Sequence, residues 1–242
     1  LGRPELTDQP PLKSTPLTAW HRDHGARMVP FAGFEMPVQY ESVLAEHAAC
    51  REAVGLFDIT HMGEIQVSGP DAGAWLDGLA TNRVAGLPAG KVVYTAMCRE
   101  DGGVLDDMLV YHLAPAEWMI VCNAANHAKI TGWLQENLPA GGVQLDDRSD
   151  GMALIAVQGP DSRTLVSRLE ALPGRAEDIQ DLAFYTAFTH AGPSGRWIVS
   201  RTGYTGEHGY ELYLPNADAV AVWEELLEQV ALVRGQSTNH FL

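Results

Sequence analysis

The stretch IQVSGPDAGAWLDGL, Ile65 to Leu79, decides the fold of this chain, because it recurs later as IAVQGPDSRTLVSRL, Ile155 to Leu169. Each copy is typical of an apolar strand, a Gly-Pro-Asp turn and a helix. After each copy the pattern predicts a hairpin, a further strand and a closing helix. The sequence therefore predicts an α+β fold of two packed, internally repeated sheet lobes, about residues 63–138 and 151–230. The alternative is coincidence, since Gly-Pro-Asp is also ordinary turn chemistry.

The composition limits the classes of partner. The chain has 242 residues, of which 46% are hydrophobic, and this is enough for one large domain or two closely packed small ones. Its net charge is −15, from 31 acidic and 16 basic residues. Such a balance disfavours sequence-independent binding of nucleic acid and docking to anionic membranes. No apolar run is long enough to predict a membrane span.

Cysteine and histidine spacing gives no sign of a metal site. Cys50, Cys98 and Cys122 are odd in number and lack Cys-x-x-Cys spacing, which favours core packing and a reducing compartment. His21 and His24 are followed by no matching ligand motif. We therefore expect no metal. The polar, proline-rich residues 1–16 are interpreted as a disordered arm.

The first candidate site is DGGVLDDMLVY, Asp101 to Tyr111, which the alternation rule predicts to be a strand with two faces. One face carries Val104, Asp106, Met108 and Val110, and the other carries Leu105, Asp107, Leu109 and Tyr111. Both faces are otherwise apolar, and a buried carboxylate needs a ligand or a hydrogen-bond donor. The alternative is that Asp106 and Asp107 end a hairpin in solvent.

The second candidate site is SRTGYTGEHGYELY, Ser200 to Tyr213. Gly203, Gly206 and Gly209 permit a folded loop that lets the backbone approach a ligand closely. A carboxylate fixed in that loop, that of Glu207, can accept two parallel hydrogen bonds from a planar amidine-like edge, such as that of a pterin, guanine or arginine. The alternative is a plain glycine-rich hairpin with Glu207 in solvent. Serine-hydrolase, P-loop and dinucleotide motifs do not occur.

Four segments together resemble the glycine-cleavage T-protein (aminomethyltransferase) family. They are MVPFAGFEMPVQY from Met28, REAVGLFDITHMGEI from Arg51, KVVYTAMCREDGGVLDDMLVY from Lys91 and SRTGYTGEHGYELYLP from Ser200. The similarity runs from about Leu17 to about Leu227, in an aminomethyltransferase folate-binding domain that we expect to span residues 17–230.

The resemblance implies an activity. T-proteins transfer the methylene group from the aminomethyl-dihydrolipoyl arm of lipoylated H-protein to tetrahydrofolate and release ammonia. The implied ligand is tetrahydrofolate as a substrate, and neither a metal nor a nicotinamide is implied. The implied location is the cytoplasm, or the mitochondrial matrix if the source is a eukaryote.

Residue roles are implied by position in the family motifs. Asp106, the first acid of the Asp-Asp pair, matches the catalytic aspartate, which positions the folate amine and stabilises an iminium-like cation. Glu207 matches the acid that binds the amino edge of the pterin. Further folate-contacting positions are Tyr94, Asn123, Val121 and Met62, and weaker matches for pocket walls are Tyr204 and Tyr185.

The end of the chain departs from the family pattern. The tail VALVRGQSTNHFL does not match, so residues 231–242 are interpreted as a non-matching tail of a C-terminally truncated member. We expect it to lack the arginine-bearing segment and the C-terminal β-barrel domain of a typical T-protein. Two alternatives stay open: the folate domain of a folate-dependent demethylase or oxidase, and an inactive, truncated folate-binding remnant.

Overall fold

The computed structural model of the protein describes residues 11–234. Within that range the helices are α1 (Thr18–Asp23), α2 (Val43–Glu52), α3 (Ala72–Leu79), α4 (His127–Glu136), α5 (Ser162–Val166), α6 (Ala176–Asp181) and α7 (Ala219–Arg234). The strands are β1 (Arg27–Phe31), β2 (Phe34–Gln39), β3 (Gly55–Asp58), β4 (Gly63–Ser68), β5 (Val92–Cys98), β6 (Val104–Ala114), β7 (Glu117–Cys122), β8 (Gln144–Asp147), β9 (Met152–Gln158), β10 (Ala187–Ala191), β11 (Arg196–Ser200) and β12 (Gly209–Pro215). Short 3-10 turns precede α4, β9 and α7.

Two five-stranded antiparallel sheets have the same topology. The strand order is β5-β6-β7-β4-β8 in the first sheet and β10-β11-β12-β9-β3 in the second. Each sheet is thus built from a first strand, a helix, a hairpin and a return strand in the same arrangement. The predicted α+β fold and its internal repeat are confirmed.

The two lobes exchange one strand each, which the sequence did not predict. β3 directly precedes β4 in the chain but pairs with β9 of the other sheet. β8 directly precedes β9 but pairs with β4. The predicted lobe at residues 63–138 therefore leaves out β8, which completes the first sheet, and the predicted lobe at residues 151–230 leaves out β3, which completes the second. Both strands are only four residues long, so they give little periodic signal.

The linkers after the exchanged strands make equivalent hydrogen bonds. The hydroxyl of Thr60 accepts the backbone N–H of Leu154 at 3.1 Å. The hydroxyl of Ser149 accepts the backbone N–H of Glu64 at 2.9 Å. Glu64 and Leu154 thus occupy the same position in the two repeats, as do the two Gly-Pro-Asp turns that follow.

The sheets pack face to face and the helices cover their outer faces. One apolar cluster lies between the first sheet and α3 and α4, and another lies between the second sheet and α1, α5, α6 and α7. A third cluster fills the space between the sheets, called here the inter-sheet layer; its buried members are Met62, Val92, Leu109, Tyr111, Met119, Val121, Leu154, Ala187, Ile198 and Tyr213. Both faces of each sheet are therefore buried.

The ends of the described range differ from the sequence-based expectations. Residues 1–10 of the predicted disordered arm lie outside it, but Lys13 pairs with Phe34 of the β1–β2 hairpin. The buried hydroxyl of Thr15 donates to Asp58 at 2.7 Å. Long-range hydrogen bonds thus order residues 11–16, which local composition could not reveal. α7 continues to Arg234, past the expected end of the domain at residue 230. Among the described residues, no helix is both long and apolar enough to cross a membrane.

Candidate functional site

The two acids of the Asp-Asp pair on β6 point in opposite directions. Met108 and Val110 pack on the helix side of the first sheet, whereas Leu109 and Tyr111 lie in the inter-sheet layer. By alternation, Asp107 shares the inter-sheet face. The expectation of a strand buried on both sides is confirmed from Leu105 onward. The predicted faces are wrong at its start: Leu105 packs on the helix side with Met108, because the strand register shifts there, and Val104 is exposed.

Asp106 is enclosed by hydrogen-bond donors and is only 3% exposed. Its carboxylate accepts the backbone N–H of Asn123 at 2.9 Å, the side-chain amide of Asn123 at 2.9 Å and that of Asn126 at 2.5 Å. These donors belong to the turn that leads from β7 into α4. Asp106 therefore fixes this turn, and its oxygens are already occupied.

Asp107, to which the family resemblance assigned no role, lines a cavity of about 260 Å³. The lining residues are Tyr94, Asp107, Leu109, Tyr185, Gly203 and Tyr204. The carboxylate of Asp107 accepts the Tyr94 hydroxyl at 2.8 Å and the Asn123 side-chain amide at 3.2 Å. The structure thus brings Tyr94, Tyr185 and Tyr204 together around Asp107 rather than around Asp106.

The cavity lies where the edges of the two sheets meet. Lys91 and Thr186 form a bridge between these edges. Beside the bridge, the carbonyl of Tyr185 accepts the N–H of Val92, while its own N–H donates to Arg201. Tyr185 has a φ of 54°, an uncommon conformation for a residue other than glycine, and these hydrogen bonds hold it. The backbone therefore fixes the Tyr185 ring at the cavity wall.

Glu211 is a second acid that faces the inter-sheet layer and that the sequence analysis missed. It is 1% exposed on β12. Its carboxyl group accepts the hydroxyls of Thr202, of Tyr213 at 3.2 Å and of Tyr111 at 3.5 Å. Burial raises the pKa of Glu211, although these hydroxyls oppose the shift. This acid is therefore held toward its neutral form.

The phenol of Tyr204 is influenced by the charges of both Asp107 and Glu211. Partial burial of its phenol raises the pKa of Tyr204, and the negative charges of Glu211 and Asp107 raise it further. The geometry agrees, since Thr202, whose hydroxyl donates to Glu211, directly precedes Gly203 of the cavity wall. The hydroxyl cluster around Glu211 therefore lies next to the cavity at Asp107.

Glu207 is directed away from this site. Its carboxylate forms an ion pair with Arg51 at 2.9 Å. It lines a neighbouring cavity of about 280 Å³, which shares only Gly203 with the cavity at Asp107. The roles that the resemblance implied for Asp106 and Glu207 require one shared site, but the structure does not place these two acids in one cavity. Asp107 and Glu211 face the inter-sheet layer instead.

The other predicted contact residues lie beside or beneath the cavity. Met62 and Val121 are buried in the inter-sheet layer. Asn123 donates to both Asp106 and Asp107. A signal for Glu211 was present in the sequence, because this acid interrupts the apolar strand pattern GYELYLP. Within residues 11–234 no cluster of His, Cys, Asp or Glu side chains is arranged to hold a metal ion.

A larger cavity of about 610 Å³ opens at the opposite end of the inter-sheet layer. Both of its arginines are paired with acids, since Arg196 contacts Glu117 and Arg148 contacts Asp146. The third acid of the lining, Asp147, contacts His127 at 2.8 Å. Glu117 also accepts the side-chain amide of Gln66 at 2.8 Å. Because the charged groups of this cavity are all engaged in ion pairs, whereas Asp107 accepts only neutral donors from the described residues, the cavity at Asp107 is the better candidate for binding a charged or polar ligand.

Comparison with known proteins identifies the family to which this arrangement belongs. A family model described as the GCVT N-terminal domain matches residues 17–236. The chain therefore belongs to the GCVT N-terminal domain family, which confirms the resemblance seen in the sequence. The match also extends six residues beyond residue 230, the end that we expected for the domain.

Individual relatives agree with this assignment. The chain is 45% identical over 219 residues to a protein named aminomethyltransferase from Herpetosiphon aurantiacus, and 42% identical over 218 residues to one from Bacillus subtilis. Each alignment covers 90% of this chain and 59% of the relative. The crystal structure of glycine cleavage system aminomethyltransferase T from Bartonella henselae is similar with a TM-score of 0.80 and 35% identity, covering 89% of this chain and 57% of that one.

The chain thus spans 59% of the length of these curated relatives. The heterotetrameric sarcosine oxidase from Corynebacterium sp. U-96 is also similar, with a TM-score of 0.56 and 16% identity over 81% of this chain and 94% of that one. At this identity the likeness shows only that the fold is shared.

Proposed function

We propose that this domain binds tetrahydrofolate between its two sheets and that the protein acts as a glycine-cleavage aminomethyltransferase. In that reaction the methylene of aminomethyl-dihydrolipoyl H-protein passes to tetrahydrofolate and ammonia is released. Membership of the GCVT N-terminal domain family and the names of the relatives support the proposal. The observation that carries it is that Asp107 and Glu211 face one inter-sheet layer from different sheets.

Glu211 would recognise the pterin ring. A pterin presents an amino group and a ring nitrogen along one edge, and a carboxyl group can form two parallel hydrogen bonds with such an edge. The carboxyl group of Glu211 faces the layer, whereas that of Glu207 is paired with Arg51. We therefore assign to Glu211 the role that sequence similarity implied for Glu207.

Asp107 would act at the reacting carbon. Its carboxylate lies in the cavity wall and already accepts the Tyr94 hydroxyl. A folate amine could replace this partner, and a fixed negative charge at this point would stabilise the cationic iminium-like species that forms as ammonia leaves. We therefore assign to Asp107 the role that similarity implied for Asp106.

Aromatic and apolar groups complete the proposed pocket. The rings of Tyr94, Tyr185 and Tyr204 line the cavity and are suited to stack on a flat heterocycle. Met62 and Val121 supply apolar contacts from the layer beneath. Such a cavity, mostly apolar with a few placed polar groups, is typical of a site for a small organic ligand.

An anaerobic calorimetric titration of the 242-residue chain with tetrahydrofolate tests the proposal. We expect saturable binding that Glu211→Gln weakens at least about tenfold, because one of the two oxygens that face the ligand is replaced by an amide group and roughly one hydrogen bond is lost. Glu207→Gln is the matched control and should bind like the wild type. Absence of saturable binding by the wild type would overturn the proposal.

A second assay tests the chemistry and the partner. Ammonia release is measured with aminomethylated, lipoylated H-protein and tetrahydrofolate. We expect release that depends on both substrates and that Asp107→Asn lowers by about two orders of magnitude or more. Folate binding without release would instead support the alternative of a folate-binding domain that does not turn over by itself.

A further inference from the structure

Glu64 on β4 is a buried acid whose hydrogen-bonding capacity is unused. The residue is 0% exposed. Neither of its carboxyl oxygens has a hydrogen-bond partner in the part of the chain that the structure describes. Buried polar groups in folded proteins are nearly always paired, so this exception requires an explanation. The buried acid Glu211, by contrast, accepts hydrogen bonds from several hydroxyls.

The side chain of Glu64 faces the inter-sheet layer. Its neighbours Ile65 and Val67 pack on the helix side of the first sheet, so alternation directs Glu64 to the other face. Its cross-strand partner is Val121, and Met62 lies two residues earlier in the chain. Both are buried in the layer and were predicted from the sequence to contact the ligand.

Glu64 and Glu211 approach this layer from opposite sheets. Burial raises the pKa of Glu64 well above its ordinary value, and the negative charges of Asp147 and Glu211 raise it further. Burial also raises the pKa of Tyr213, to which the charges of both Glu211 and Glu64 contribute. A neutral carboxyl group at Glu64 offers one donor and one acceptor side by side.

The fold itself does not require an acid at this position. Leu154 occupies the equivalent place in the second repeat, with the same linker hydrogen bond to its backbone N–H. Leu154 is buried in the same layer. A leucine therefore satisfies the packing and backbone demands of this position, and the carboxyl group of Glu64 is an addition that needs a partner from outside the chain.

We propose that Glu64 is a ligand-recognising residue whose carboxylic acid hydrogen-bonds the edge of a flat heterocycle that enters between the sheets. This inference rests on the proposed function and deepens it, because a reduced pterin is such a heterocycle and carries donors and acceptors on its edges. Glu211 from one sheet and Glu64 from the other then hold the ring from two sides.

Two substitutions at Glu64, with binding and stability measured separately, test this assignment. Glu64→Leu copies the second repeat and removes the unpaired carboxyl group, so it should raise the melting temperature of the ligand-free chain. The same substitution should weaken tetrahydrofolate binding at least tenfold. Glu64→Gln keeps one donor and one acceptor without charge and should bind within about threefold of the wild type. A purely structural role predicts the reverse for Glu64→Leu: lower stability and unchanged affinity.

The matched control is Glu46→Gln. Glu46 is equally buried and also has one oxygen without a partner, but its other oxygen accepts the N–H groups of Tyr40 and Glu41 at the start of α2, outside the inter-sheet layer. Its substitution should leave the affinity unchanged. Wild-type affinity in Glu64→Leu, or failure of that variant to fold, would overturn the assignment of Glu64 alone. No binding by the wild type would overturn the proposed function as well.

Discussion

Substituting the two acids of the Asp-Asp pair one at a time should separate stability from function. In Asp106→Asn, one acceptor oxygen becomes a donor. In the wild type one oxygen of Asp106 accepts the backbone N–H of Asn123, and the other accepts the side-chain amides of Asn123 and Asn126. The single oxygen of an asparagine can take the place of only one of these two. One charge-assisted hydrogen bond in a buried site is lost, which costs about 2–3 kcal/mol of unfolding free energy. For a domain of this size the melting temperature should fall by about 5–10 °C.

Asp107→Asn should have the opposite profile. The side chain lines the cavity and its partners are the Tyr94 hydroxyl and one amide of Asn123. The two partners bind different oxygens of Asp107. In asparagine the remaining oxygen can keep the Asn123 amide, and the new amide group can donate to the Tyr94 hydroxyl, which also accepts hydrogen bonds. The melting temperature should therefore stay within about 2 °C of the wild type. Turnover should fall by about two orders of magnitude or more, because the charge that stabilises the cationic intermediate is gone.

The melting temperatures of both variants are measured by calorimetry. Ammonia release is then measured at a temperature well below the melting temperature of the less stable variant. Asp106→Asn should retain most of its turnover at that temperature. An inactive Asp106→Asn variant that melts like the wild type, together with an active Asp107→Asn variant, would refute these two assignments. Asp106 would then be the reacting acid, as sequence similarity implied.

Three further substitutions test the scaffold and the buried acid. Gly159→Ala should cost at least about 2 kcal/mol, because Gly159 has a φ of 127° and a Cβ there would lie 2.5 Å from the carbonyl oxygen of Ala53; normal urea unfolding would contradict this. Thr60→Val leaves the buried N–H of Leu154 without its hydroxyl acceptor and should cost about 1–2 kcal/mol in the same assay. The raised pKa of Glu211 means that the folded state holds this proton more tightly than the unfolded state, so its contribution to stability should fall as pH rises above the ordinary value of 4.5. Glu211→Gln should flatten this dependence in melting curves recorded between pH 4 and 8, and an unchanged slope would count against the assignment.

Local pattern was sufficient for most of the architecture. The repeated strand, turn and helix, the β5–β6 hairpin and the two-sided burial of β6 all follow from periodicity and turn residues, and the structure confirms them. The exchange of β3 and β8 could not be predicted, because it depends on which sheet a four-residue strand joins. Such a choice is made by tertiary packing and not by local propensity.

The acids that we propose for the site lie in the two segments singled out from the sequence, but they differ from the acids that the resemblance implied. Adjacent residues of a strand face opposite sides, so sequence similarity alone does not separate Asp106 from Asp107. Glu207 and Glu211 both follow the glycine-rich loop, whose path has no periodic signal. Only the structure reveals that Glu207 pairs with Arg51 while Glu211 faces the layer.

The duplication explains why the inter-sheet layer can hold a site at all. In the first sheet Tyr111 pairs with Met119, and in the second sheet Ser200 pairs with Glu211 at the equivalent place. The hydroxyls of Tyr111 and Ser200 lie 3.3 Å apart across the layer. Equivalent positions of the two repeats therefore meet there, as they do on an approximate two-fold axis.

Departures from this internal symmetry then mark the functional groups. Glu211 stands where the first repeat has Met119, and Glu64 stands where the second repeat has Leu154. In each case the other repeat packs the same position with a hydrophobic residue, so the scaffold gains nothing from the acid. A buried carboxyl group is unfavourable unless it is paired, and the fold provides hydroxyl partners for Glu211 but none among the described residues for Glu64. An acid that the fold does not need and only partly satisfies is best explained by a ligand, and both such acids face the layer in which we place the pterin.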